Sequence, residues 1–96
     1  MKFIIRNQAQ IANKYLRFAK WKIRKLSNKF GKIIYTEIYV QQIAHSPAQY
    51  AVTVKMGVPG PDIVVSARSQ NLKELMSDLA LKIKRHLIKA NQRKSY

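Results

Sequence analysis

Residues 11–30 read IANKYLRFAKWKIRKLSNKF. Ile11, Tyr15, Phe18, Ala19, Ile23, Leu26 and Phe30 recur at helical spacing and mark one apolar stripe. The same stretch holds seven basic residues (Lys14, Arg17, Lys20, Lys22, Arg24, Lys25 and Lys29) and no acid. At about 100° per residue, Trp21 falls opposite the stripe, among Lys14, Arg17, Arg24, Lys25 and Asn28. Such a helix must bury its apolar side on another layer. Its other side has no local counter-charge and suits a polyanion. A ring among the cations points to a polyanion with bases to stack on.

Working outward, Lys2 to Arg6 reads as a short strand, and Gln8 to Gln10 links it to the helix. Gly31 is the expected helix stop. Ile33 to Ala44 reads as a long strand, with Ile34, Thr36, Ile38 and Val40 on one side and Tyr35, Glu37, Tyr39 and Gln41 on the other. His45-Ser46-Pro47-Ala48 is a turn, because Pro47 cannot donate to a ladder. Tyr50, Val52, Val54 and Met56 alternate as a third strand, which Gly57-Val58-Pro59-Gly60-Pro61 ends. Ile63 to Arg68 is a fourth strand rich in β-branched residues.

Asn71 then opens a second helix, and Glu74 stands where a capping box needs it. Leu72, Leu75, Met76, Leu79, Ile83 and Leu87 form its buried stripe. Lys82, Arg85, Lys89 and Arg93 share its outer side. Leu81 and Ile88 fall outside the stripe. The order β-α-β-β-β-α, with a right-handed first crossover, predicts an α+β fold. It has a four-stranded mixed sheet with two roughly parallel helices packed on one face. Residues 1–91 are expected to form a single domain, and residues 92–96 a frayed basic tail. Helices lying side by side would merge their basic faces.

The composition narrows the function. Nineteen Lys or Arg against four acids give a net charge of +15 on 96 residues, with an ordinary apolar fraction of 47%. The chain is therefore expected to be globular, not a disordered basic tail. It has no cysteine, so disulfides and thiolate chemistry are absent. That fits a reducing, cytoplasmic location. No apolar run approaches the roughly 20 residues of a membrane span. The acids are Glu37, Asp62, Glu74 and Asp78. His45 and His86 lie far apart, without companions at ligand spacing. With no phosphate-loop or nucleophile motif either, the chain does not read as an enzyme. It is expected to use no metal, cofactor or small-molecule substrate.

At this point the chain resembles the bacterial ribosome hibernation-promoting factors and ribosome-associated translation inhibitors, short form. Lys22-Ile23-Arg24-Lys25-Leu26 followed by Phe30 resembles the family's K-x-x-K-L…F pattern. Leu79, then Lys82-Ile83-Lys84-Arg85-His86-Leu87, then Lys89, resembles its L-x-x-K-L-x-R-Q-L-x-K. Ile63-Val64-Val65-Ser66-Ala67 leading to Asn71-Leu72 resembles its last strand and helix entry. The sequence departs from the family at Asn71 (usually acidic), at Lys73 (usually Tyr) and at Tyr15-Leu16 (usually Leu-Arg).

The resemblance implies a non-enzymatic, stationary-phase stress-response protein that is monomeric when free. Its implied partners are the small ribosomal subunit, through 16S-type rRNA, and the 70S ribosome. It would occupy the decoding channel and exclude mRNA and A- and P-site tRNA. The family's basic helix residues carry over to Lys22, Lys25, Lys82, Arg85 and Lys89. The residue reading adds Trp21, Arg17, Arg24 and Arg93 as rRNA-binding candidates. The long members' ribosome-pairing domain is not expected here, since the chain ends at Tyr96.

Two other readings stay open. One is a general double-stranded RNA-binding domain, which also packs two helices on a short sheet. The other is a protein-interaction or transcription-modulating module acting through Tyr35 and Tyr39 on the outer sheet face.

Overall fold

Three rows of side chains cross one face of the sheet and fix where everything else lies. The computed structural model describes residues 1–30, 33–43 and 49–94, the last four by their backbone alone. The elements are β1 (Lys2–Asn7), α1 (Asn13–Phe30), β2 (Tyr35–Ile43), β3 (Gln49–Gly57), β4 (Ile63–Ser69) and α2 (Leu72–Lys94). The strands lie in the order β1-β2-β3-β4. The β1–β2 pair is parallel and the other two pairs are antiparallel. The expected α+β fold and element order are therefore observed. The Gly31 stop, the turn at His45 to Ala48, and Ser95 and Tyr96 lie outside the described residues.

The register aligns Phe3–Thr36–Met56–Ile63, then Ile5–Ile38–Val54–Val65, then Asn7–Val40–Val52–Ala67. Because side chains alternate with a period of two, a one-residue slip of any strand would turn its whole apolar set to water. Both helices cover this face. Leu16 and Ile23 of α1 join Leu75, Met76, Leu79, Ile83 and Leu87 of α2 in the core. Thr36 is the one buried polar residue among those described, and its hydroxyl donates to Met1 Sδ at 3.5 Å.

The α1 stripe differs from its sequence reading at two positions. Leu16 is buried, while Phe18 is 37% exposed. The helix starts at Asn13, so Ile11 reaches the core from the preceding turn instead of from the helix. The Asn7 side chain holds that turn. Its Nδ2 donates to Ile11 O (2.9 Å), and its Oδ1 accepts the Ile11 N–H (3.0 Å). Gln10 takes a left-handed conformation there, with φ 54°. The buried arc is then centred on Ile23, and Leu16, two turns earlier, falls within it. Phe18 lies outside that arc.

A similar shift precedes β2. Ile33 is buried and Ile34 is exposed, the reverse of the expected alternation. Ser27 Oγ accepts the Ile33 N–H at 3.2 Å, which turns the chain just ahead of the strand. At the start of α2, Asn71 Oδ1 accepts the N–H groups of Lys73 (2.9 Å) and Glu74 (3.3 Å), as a cap should. The partner of the Asn71 N–H is Ser69 Oγ (3.0 Å), where a capping box would have used Glu74.

Packing holds α1 against its own charge. Like charges three or four apart (Lys14–Arg17, Arg17–Lys20, Lys20–Arg24, Lys22–Lys25, Lys25–Lys29) each cost about 0.2–0.5 kcal/mol. Burying Leu16 or Ile23 contributes roughly 1.5–3 kcal/mol each, so the sheet contact decides the balance.

On the open sheet face two tyrosines pair with acids. The Tyr39 hydroxyl donates to Glu37 Oε2 (2.7 Å) and the Tyr35 hydroxyl to Asp62 Oδ2 (3.1 Å). Lys55 Nζ lies 3.9 Å from the same Asp62 oxygen. Desolvation and the bond to Asp62 raise the Tyr35 pKa above the usual tyrosine value. For Tyr39 the bond to Glu37 is the larger cause, with desolvation second and Arg6 opposing. The Tyr35 ring fills the space that a Cβ on Gly57 would need.

Two outcomes are expected. Gly57→Ala should lower stability by about 1–3 kcal/mol in urea melts, since the Tyr35 ring must leave its place. Adding Tyr35→Ala should remove most of that penalty; an equal penalty in the double variant would locate the clash elsewhere. In alkaline titration at 295 nm, Tyr35 and Tyr39 should ionise above the ordinary value near 10. Tyr→Phe difference spectra would identify them. A folded pKa above the unfolded one means that their contribution is complete below pH ~10 and is lost as pH rises through the folded value.

Candidate nucleic-acid interface

The basic residues gather where the helices are. Seven of the nineteen Lys and Arg lie on α1 and seven on α2. α1 has no acid; α2 has Glu74 and Asp78. The other two acids, Glu37 and Asp62, are engaged by tyrosines of the open sheet face. Cationic charge is thus concentrated on the helix side of the molecule.

The helices lie side by side and run in the same direction. Lys14, Tyr15 and Phe18 meet Lys73, Met76 and Ser77 at one end. Farther along, Trp21, Lys22 and Leu26 meet Ala80, Leu81 and Lys84. Small side chains at Ser77 and Ala80 suit this close approach.

The cations fall into three strips instead of one merged face. On the flank over β1, the Arg24 guanidinium lies 5.2 Å and Lys20 Nζ 5.8 Å from the Phe3 ring centroid. Arg17, exposed and two turns before Arg24, shares that flank. The middle strip follows the groove between the helices. There Trp21 is 49% exposed, with Lys25 Nζ 4.3 Å and Lys22 Nζ 5.5 Å from its ring. The Phe18 ring lies 6.2 Å from Trp21, tilted by 40°. Lys84 faces them from α2.

The third strip lies on the far side of α2, beside β4. Lys82 Nζ donates to Ser66 O (2.7 Å) and pairs with Asp78 (3.3 Å). Lys89 and His86 border a hollow of about 510 Å³ beside residues 58–62 and the start of β4. Arg85 is exposed and, three residues beyond Lys82, belongs to the same flank.

The structure therefore brings Trp21, Lys22 and Lys25 together and sets Lys82, Arg85 and Lys89 apart from them across α2. The Arg93 side chain lies outside the described residues. Sequence reasoning passed over Lys84 and left Leu81 without a role. Both belong to a second face of α2, Ser77–Ala80–Leu81–Lys84, whose three- and four-residue spacing was available as a signal.

This arrangement can neutralise phosphates and stack rings. Among the described residues no group of three His, Cys, Asp or Glu could hold a metal ion. No described helix is long and apolar enough to cross a membrane. Tyr35 and Tyr39 keep their hydroxyls engaged with Asp62 and Glu37, so a partner at that face would compete with existing bonds.

No protein-family model matches the sequence, and no curated protein matches it significantly. Solved structures do match in fold. A ribosomal subunit interface protein from Coxiella burnetii is similar over 96% of this chain and 99% of its own, with 17% identity and a TM-score of 0.81. The N-terminal domain of Protein Y from Thermus thermophilus is similar over 92% of this chain and 93% of its own, with 14% identity and a TM-score of 0.69. At these identities the likeness establishes a shared fold. It is the fold that the sequence resemblance implied.

Proposed function

We propose that this protein belongs with the ribosome hibernation factors and holds ribosomes inactive by binding small-subunit rRNA in the channel used by mRNA and tRNA. One observation carries the reading: the cations cover the helix side of the sheet, with no acid on α1, while half of the acids lie on the opposite face. A net charge of +15 distributed in this way favours a folded polyanion. The fold shared with a ribosomal subunit interface protein and with Protein Y supports the choice of the ribosome as that polyanion. An elongated body of 48 × 21 × 19 Å suits a plug in an RNA-walled cleft.

The mechanism is occlusion; no bond is made or broken. Lys22, Lys25 and Lys84 in the groove and Arg85 and Lys89 on the outer flank of α2 would meet phosphates. Arg85 can fork two phosphate oxygens, whereas the lysines act as point charges. Lys82 contributes less than its spacing suggests, because Ser66 O and Asp78 already share its ammonium. Backbone and shape contacts suit structured RNA, whose deep groove hides its base edges.

Co-sedimentation with purified ribosomes tests the reading. Binding to small subunits with loss of translation is expected. Five phosphate contacts give a log–log salt slope of about −4. Lys22→Glu, Lys25→Glu and Lys84→Glu together should lower affinity at least ~10-fold with the circular dichroism spectrum unchanged. Lys2→Glu with Arg68→Glu, on the open sheet face, should change it by less than ~2-fold. Absence of binding, or binding without loss of translation, contradicts the proposal. Equal displacement by a plain RNA duplex would favour a general double-stranded RNA binder.

A further inference from the structure

We infer that the groove between α1 and α2 receives an unpaired nucleobase of the bound RNA, stacked against Trp21 with Leu81 as the opposite wall. The inference rests on the proposed RNA-binding role of the helix face and says which part of the RNA enters it. Six large apolar side chains are exposed among the described residues, and three of them, Phe18 (37%), Trp21 (49%) and Leu81 (47%), line this one groove. A surface meant only for phosphates needs no cluster of exposed apolar side chains. Their convergence calls for an apolar ligand.

The rim states what kind of apolar ligand. Lys22 and Lys84 border the groove. Lys25 Nζ lies 4.3 Å from the Trp21 ring centroid. The remaining polar side chain of the lining is Ser77, and no acid takes part. A flat apolar group joined to negative charge complements this lining, and a nucleotide has that chemistry: its base on the floor, its phosphates on the rim. An ammonium already beside the indole brings a phosphate, and with it the adjoining base, to the ring. Leu81 thereby gains a role that the core does not give it.

Trp21 is the only tryptophan of the chain, so its emission reports on the groove directly. The protein would be titrated at moderate salt with octaadenylate, an abasic octamer of equal charge, and octaglutamate. Affinity would be followed independently by anisotropy. Octaadenylate is expected to quench Trp21 and to bind about 5- to 100-fold more tightly than the abasic strand. Trp21→Ala and Leu81→Ser, both at exposed positions and checked by circular dichroism, should each reduce octaadenylate to abasic-strand affinity. Equal binding of the two strands with unchanged emission overturns the inference, as does quenching by octaglutamate equal to that by octaadenylate. Wild-type protein that sediments with ribosomes yet shows no base preference removes this inference alone. Failure to sediment removes the functional proposal beneath it.

Discussion

Burial of one face of the sheet beneath both helices is the constraint on which the rest depends. The three cross-strand rows from β1 to β4 form a continuous apolar surface that neither helix alone can cover. α1 and α2 must therefore lie side by side on it, each with its apolar arc turned inward. Nothing in α1 would hold it helical otherwise, since its cations repel one another at nearly every turn. The charge that opposes the helix in isolation is the charge that the folded molecule displays.

That geometry sorts the ionisable groups by side. Glu37 and Asp62 lie on the open face, where tyrosine hydroxyls and Lys55 occupy them. On α2, Asp78 takes Lys82 partly out of service. Along α1 several cations lie beside rings, among them Phe3 on the flank and Phe18 and Trp21 at the groove. Cation–ring contacts at exposed sites are weak, on the order of 0.5–1 kcal/mol, and leave the ammonium its charge. The helix side thus stays ready for phosphate, while the two acids of the sheet side are held by tyrosines and Lys55.

Much of the fold was legible because it is written in periods. Val52, Val54 and Met56 alternate without exception, and the long α2 stripe from Leu72 to Leu87 admits no other reading. The misreadings arose at the ends of elements and at the edge of the α1 stripe. Asn7 ends its strand and clamps Ile11, which moves the start of α1 to Asn13; Leu16 rather than Phe18 shares the buried side with Ile23, seven residues on. Ser27 holds the Ile33 N–H just ahead of β2, where Ile33 is buried and Ile34 exposed. The candidate site was legible as composition but not as layout. A helical projection places Trp21 opposite the stripe, yet it cannot show that a second helix stands beside it and turns that surface into the wall of a groove. The division of α2 into a flank over β4 and a face toward α1 depends equally on packing. Lys82, Arg85 and Lys89 share one flank by spacing; only the packed helices reveal that Lys84 is the residue facing Lys22.

Lysine acetylation of the protein free and bound to ribosomes, read residue by residue by mass spectrometry, tests the two-sided account most directly. Lys22, Lys25, Lys84 and Lys89 should become protected on binding, while Lys2 and Lys55 on the open sheet face stay reactive. Protection of Lys2 and Lys55 with the helix lysines left reactive would contradict the account.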